Sequence, residues 1–119
     1  MPISKEILSG SIQGRNIKVA ATASPGTLIH TTGIESTVTD EIWVYAYNGH
    51  TASVVLTIQQ GGTGTPDDDI TVPIPAKSGL MLVVPGLVLK GTGTVGSEVR
   101  AYAGTADVVT VTGYVNRIS

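Results

Sequence analysis

Asp40-Glu41-Ile42-Trp43-Val44-Tyr45-Ala46-Tyr47-Asn48-Gly49 is the stretch that decides the fold. Its side chains alternate strictly. On an extended chain Ile42, Val44 and Ala46 fall on one face, and Trp43, Tyr45 and Tyr47 on the other. Asn48-Gly49 is a strong hairpin signal, and residues 52–60 resume the alternation with Val54, Leu56 and Ile58 together. Residues 40–60 therefore predict a β-hairpin. Asp40 and Glu41, at the start of its first strand, read as solvation of a sheet edge.

The same grammar extends in both directions. Upstream, Ile17, Val19 and Ala21 alternate with Lys18 and Ala20, Pro25-Gly26 marks a turn, and residues 27–31 form a short strand around Leu28 and Ile29. Downstream, a glycine-rich loop over residues 61–66 is closed by Asp67, Asp68 and Asp69. Ile70, Val72 and Ile74 alternate next, with Pro73 and Pro75 out of phase. A proline cannot donate to a ladder, so this strand lies at a sheet edge or leaves the sheet early. Leu80, Leu82 and Val84 form a strand that Pro85-Gly86 interrupts and Leu87-Val88-Leu89 resumes. Val99, Ala101 and Ala103, then Val109, Val111, Gly113 and Val115, supply the last two strands.

About eight short strands at regular spacing, with no room for a crossover helix, predict an all-β fold. It is a single β-sandwich of antiparallel strands, jelly-roll or immunoglobulin-like. Residues 15–119 make the sandwich domain. Residues 1–14 follow neither the helical nor the strand period and read as an extended N-terminal arm. Its Ile3, Ile7, Leu8 and Ile12 are suited to docking on a neighbouring subunit.

Composition supports this class. A chain of 119 residues and 12.2 kDa is one domain. Its 15 valines, 16 threonines and 11 isoleucines are β-branched and suit a pleated surface. With no Phe and one Trp, the core must be aliphatic. Charged residues are only 13% and hydrophobic residues 41%, which excludes intrinsic disorder. The net charge of −2 leaves no basic excess to meet a phosphate backbone, so no nucleic-acid partner is expected. The absence of cysteine excludes disulfide scaffolds, thiol catalysis and thiolate zinc sites. No apolar run has the length of a signal peptide or a membrane span. The expectation is synthesis in a cytoplasm and no membrane partner. A mean hydropathy of +0.26 points to apolar surface covered by another copy or a partner.

Few residues suggest chemistry. Gly91, Gly93 and Gly96 match the spacing G-x-G-x-x-G, but residues 97–103 alternate as a strand where a dinucleotide site needs a helix N-terminus. The match reads as a glycine-rich hairpin loop. Three adjacent carboxylates, Asp67 to Asp69, point in opposite directions on an extended chain and lack the spacing of a calcium loop. They read as a solvated turn. His30 and His50 are too far apart for a spacing-based metal motif and read as loop histidines, and no nucleophile elbow occurs. The sequence therefore predicts no catalytic, cofactor-binding or metal-ligating residue, and no cofactor. The face of Trp43, Tyr45 and Tyr47 packs beneath a second sheet, meets a neighbouring subunit or stacks on a ligand. Aromatic bodies with polar tips suit an interface. With Ile3, Ile7, Leu8 and Ile12 they form the candidate contact set.

The order of several segments carries a resemblance. These are Gly14-Arg15-Asn16-Ile17-Lys18-Val19-Ala20-Ala21, Gly26-Thr27-Leu28-Ile29-His30-Thr31, the stretch from Asp40 to Asn48, and Val55-Leu56-Thr57-Ile58. Ile74-Pro75-Ala76-Lys77-Ser78-Gly79, Pro85-Gly86-Leu87-Val88-Leu89 and Val111-Thr112-Gly113-Tyr114-Val115-Asn116-Arg117 follow. Over most of residues 14–117 the chain resembles small β-sandwich virion structural proteins of tailed bacteriophages. The resemblance implies a non-enzymatic module assembled in many copies on the virion. Its first implication is a capsid decoration (cement) protein that binds the major capsid protein from outside and stabilises the head. Such a protein would form a homo-oligomer, with a trimer favoured. A head–tail neck or tail-associated protein and a carbohydrate- or receptor-binding fibre head are the alternatives.

Overall fold

The computed structural model describes residues 3–64 and 66–119. Met1 and Pro2 of the expected arm and Thr65 of the glycine-rich loop lie outside the described residues. Among these residues there is no helix and there are nine strands: β1 (Ile3–Ile7), β2 (Ile17–Lys18), β3 (Thr27–Thr31), β4 (Thr39–Asn48), β5 (Val54–Gln60), β6 (Asp69–Ile74), β7 (Met81–Lys90), β8 (Glu98–Ala103) and β9 (Val109–Ile118). All pairings are antiparallel. The first sheet runs β1-β9-β4-β7, with β2 beside β1 on the same edge of β9. The second runs β3-β8-β5-β6.

The pairs β2·β9, β3·β8, β4·β7 and β5·β6 are nested, with β5·β6 innermost. A long antiparallel ribbon rolled over itself gives this order, which is the wiring of a jelly roll. It overturns the expected hairpin over residues 40–60. β4 pairs with β7 and β9, while β5 pairs with β6 and β8 in the other sheet. A type I′ turn needs positive φ at both central residues, and neither Asn48 nor Gly49 has it. Instead the Asn48 side chain points inward and ties the crossing together. Its Nδ2 donates to the Ala52 and Ile74 carbonyls, both at 2.9 Å, and its Oδ1 accepts from His50 N–H at 2.8 Å. The loop over residues 91–97 likewise joins β7 to β8 across the sheets and is not a hairpin.

The core between the sheets is mainly aliphatic. Ile42, Val44 and Ala46 of β4, Val111 and Val115 of β9, Leu56 and Ile58 of β5, and Val99, Ala101 and Ala103 of β8 are all fully buried. β6, with Pro73, lies at an edge as expected. β7 lies at an edge of the first sheet, and its register with β4 slips at Gly86 and again at Val83. Such bulges at an edge discourage pairing with a stray strand.

The N-terminal segment belongs to this body. β1 pairs with β9 of its own chain, from Ile3 opposite Ile118 to Ile7 opposite Tyr114. Leu8 then enters the core at 1% exposure. Ser9 and Gly10 cross to the second sheet, where Gly10 N–H donates to the Ile29 carbonyl at 2.9 Å. A side chain at Gly10 would come within 2.6 Å of the Leu28 and Ile29 carbonyl oxygens, so only glycine passes there. The accessible surface of 6065 Å² matches the roughly 6,000 Å² of a compact monomer of this mass.

Candidate functional site

Two groups of side chains stand out, and the alternation of β4 separates them. The first faces inward. Asp40 is 1% exposed, which corrects its reading as edge solvation. Its Oδ2 lies 2.7 Å from His30 Nε2, and Arg117 donates to it through Nε at 2.9 Å and Nη2 at 3.0 Å. His30 is no loop histidine. It is a buried residue of β3, and its Nδ1 accepts Ser9 N–H at 3.0 Å. Nε2 therefore carries the ring proton and donates it to Asp40. Burial acts to raise the Asp40 carboxyl, but hydrogen bonds from Arg117 and His30, with the charge of Arg117, outweigh it and hold the carboxyl below the ordinary carboxylate range. The Asp40 hydrogen bond raises Arg117 in turn.

This cluster joins β3 in one sheet to β4 and β9 in the other, and it ties in the N-terminal segment. It has the residue types of a serine triad without the geometry. His30 contacts the backbone of Ser9, while Ser9 Oγ accepts Thr31 N–H. Among the described residues both ring nitrogens are taken by Ser9 N–H and Asp40, not by a hydroxyl.

The second group lies on the outer face of the first sheet. Register places Ile7, Tyr114, Trp43 and Pro85 in one row across β1, β9, β4 and β7. Lys5, Asn116, Glu41 and Val88 form the next row. Trp43 and Tyr114 stack with ring centroids 6.3 Å apart and planes 16° off parallel. Lys5 Nζ sits 4.8 Å from the Tyr114 ring centroid. Trp43 Nε1–H donates to Glu41 Oε1 at 2.8 Å, and Asn116 Nδ2 donates to the same oxygen at 3.0 Å. The bond from Asn116, then that from Trp43, holds the Glu41 carboxyl below its ordinary value. On β7, Gly86 leaves room for the indole to lean over the strand. Exposed Ile3, Ile7, Leu82 and Val88 flank the half-buried rings.

Five of the seven candidate contact residues, Ile3, Ile7, Trp43, Tyr45 and Tyr47, thus share this face. The aromatic side of β4 does not pack beneath the second sheet; the Ile42 side does. Ile12 is exposed elsewhere, beside β2. Leu8 is corrected from contact to core residue, because even positions of β1 and its continuation point inward. The sequence reading missed Tyr114, Lys5, Glu41 and Asn116. Tyr114 does alternate against Val111, Gly113 and Val115, but only the pairing of β9 between β1 and β4 puts it beside Trp43.

The outer face of the second sheet differs. Gln59 Oε1 accepts Gly26 N–H at 2.8 Å, and Arg100 Nη1 donates to the Gly26 carbonyl at 3.0 Å. Gln59 is fully buried there by its own chain. Among the described residues no group of three or more potential metal-ligating acids and histidines comes together.

The fold and these groups define an all-β sandwich with a locked polar tie inside and a half-open aromatic face outside. Comparison with protein-family models, with curated proteins and with solved structures finds no match to the chain.

Proposed function

We propose that this protein is a non-enzymatic virion structural protein of a tailed bacteriophage, a capsid decoration protein that contacts the outer capsid surface through the outer face of β1, β9, β4 and β7. One observation carries the reading. That face is broad, aromatic and aliphatic, and the chain leaves it half open, with Ile7 at 52% and Val88 at 54% exposure. The buried polar groups at His30 and Asp40 are committed to holding the two sheets together. A rigid body with a ready contact face suits a protein that acts by binding. Its partners are then the major capsid protein and further copies of itself, and its site of action is the virion.

The test is co-sedimentation of the purified protein with capsid shells that lack it. Ile7→Asp and Val88→Asp should each weaken binding at least tenfold, about 1.4 kcal/mol, without moving the urea midpoint. Failure of the wild-type protein to bind shells overturns the reading. A copy number of about six or twelve per particle would instead indicate a neck ring. The rings beside Glu41 and Asn116 favour one second reading, a glycan-binding fibre head. Quenching or enhancement of Trp43 fluorescence by host-surface glycans, with no shell binding, would select it.

A further inference from the structure

The tie at His30 also controls the N-terminal segment. Both ring nitrogens are committed: Nε2–H donates to Asp40, and Nδ1 accepts the Ser9 amide. A second proton can go only to Nδ1, whose lone pair the Ser9 N–H already occupies. An imidazolium here would set one N–H against another. Protonation of His30 and docking of Ser9 therefore exclude each other. We propose that His30 is an acid-sensitive latch: neutral, it holds residues 8–10 against β3, and protonated, it releases them.

The charged surroundings favour this sequence of events. Asp40 of β4 faces the ring directly and remains as an anionic partner for the imidazolium after release. Arg117 of β9 also grips Asp40 and lies opposite Ser4 of β1 in register. Glu6 of β1 and Glu35 of the loop before β4 act on Arg117. β8 presents Val99 opposite His30, while its Glu98 and Arg100 pair with each other at 3.0 Å on the outer face. Ser9 is the contact from the N-terminal segment.

Release would be local. Away from β9 the segment is anchored by Leu8, the Ser9 bonds and the Gly10 bond, all within three residues of chain beside His30. The side chains of β1 are mostly exposed. β3 keeps its pairing with β8 when the segment leaves. Segments held by so few buried contacts open at lower cost than the core.

The test is amide hydrogen exchange of the full chain by NMR from pH 8 to pH 5, corrected for intrinsic rates, with the His30 ring followed by ¹⁵N shifts in the same samples. Below the His30 titration, protection of the Ser9 and Gly10 amides should fall about tenfold per pH unit, the slope of one linked proton. The β5 amides should hold theirs. His30→Gln keeps a donor and an acceptor without titrating, so protection of Ser9 and Gly10 should be flat in pH. The proposal is overturned if wild-type Ser9 and Gly10 stay protected to pH 5, if the His30 ring gains its second proton while Ser9 stays protected, or if the variant keeps the pH dependence. Should His30→Gln not fold, the ring and amide titrations of the wild type decide alone.

Discussion

Asp40 and Glu41 are adjacent on one strand, and both lie opposite β9, Asp40 beside Arg117 and Glu41 beside Asn116. Strand alternation turns one carboxylate inward and the other outward, and their partners differ accordingly. A buried carboxylate without a charged partner is costly, and Asp40 has Arg117 and a fixed imidazole. Glu41 is half-buried on the outer face and needs only the neutral donors Asn116 and Trp43, which it uses to set the indole in place. One pair of strands thus builds a structural tie on one side and a contact surface on the other.

The inner tie is most vulnerable at Asp40. Asp40→Ala leaves His30 Nε2–H and the Arg117 guanidinium without their acceptor. A loss of about 3–5 kcal/mol is expected, read as a lower urea midpoint at pH 7. A loss no larger than that of an ordinary surface change would mean that the inner tie matters no more than the outer one. The sign of the pH effect follows from the same contacts. The folded carboxyl lies below its unfolded value, so its contribution is complete above about pH 4 and is lost as pH falls further. The wild-type urea midpoint should drop more steeply between pH 5 and pH 2.5 than that of Asp40→Asn.

The outer face is tested next at Gly86. It has φ +76°, and an added Cβ would lie 2.8 Å from Trp43 Cζ2. Gly86→Ala should cost about 1–3 kcal/mol through backbone strain and push the indole off β7, with a red shift in Trp43 emission. An unshifted emission would mean that the Tyr114 stack alone positions the ring.

These two sites also show how far the sequence was legible. The alternation over β4 gave the two faces, the aliphatic inner set and the aromatic outer set, because period 2 is a local property of the chain. The edge placement of β6 followed from Pro73 for the same reason, since a missing N–H needs no knowledge of the neighbour. Partnership across strands was not legible. Asp40 reads as edge solvation in the sequence because Arg117 lies 77 positions away and only the nested wiring brings it near. The Asn48-Gly49 signal misled because the Asn48 side chain, not the turn backbone, directs the crossing. The arm was half legible: Ile3, Lys5 and Ile7 do share a face, but a lysine over Tyr114 hides the period, and Leu8 looks like its neighbours until β1 is paired.

Substitutions at Glu41 should change least. Glu41→Gln keeps an oxygen that Trp43 and Asn116 can use, so both the urea midpoint and the Trp43 emission at pH 7 should stay at their wild-type values. Glu41→Ala removes the acceptor and gives Trp43 Nε1–H to water. Its emission should move to longer wavelength while the midpoint holds, because both donors remain solvated. If Glu41→Ala instead lowers the midpoint as Asp40→Ala does, the outward carboxylate is a structural tie as well. The face it supports then belongs to the stability of the fold rather than to contact with a partner.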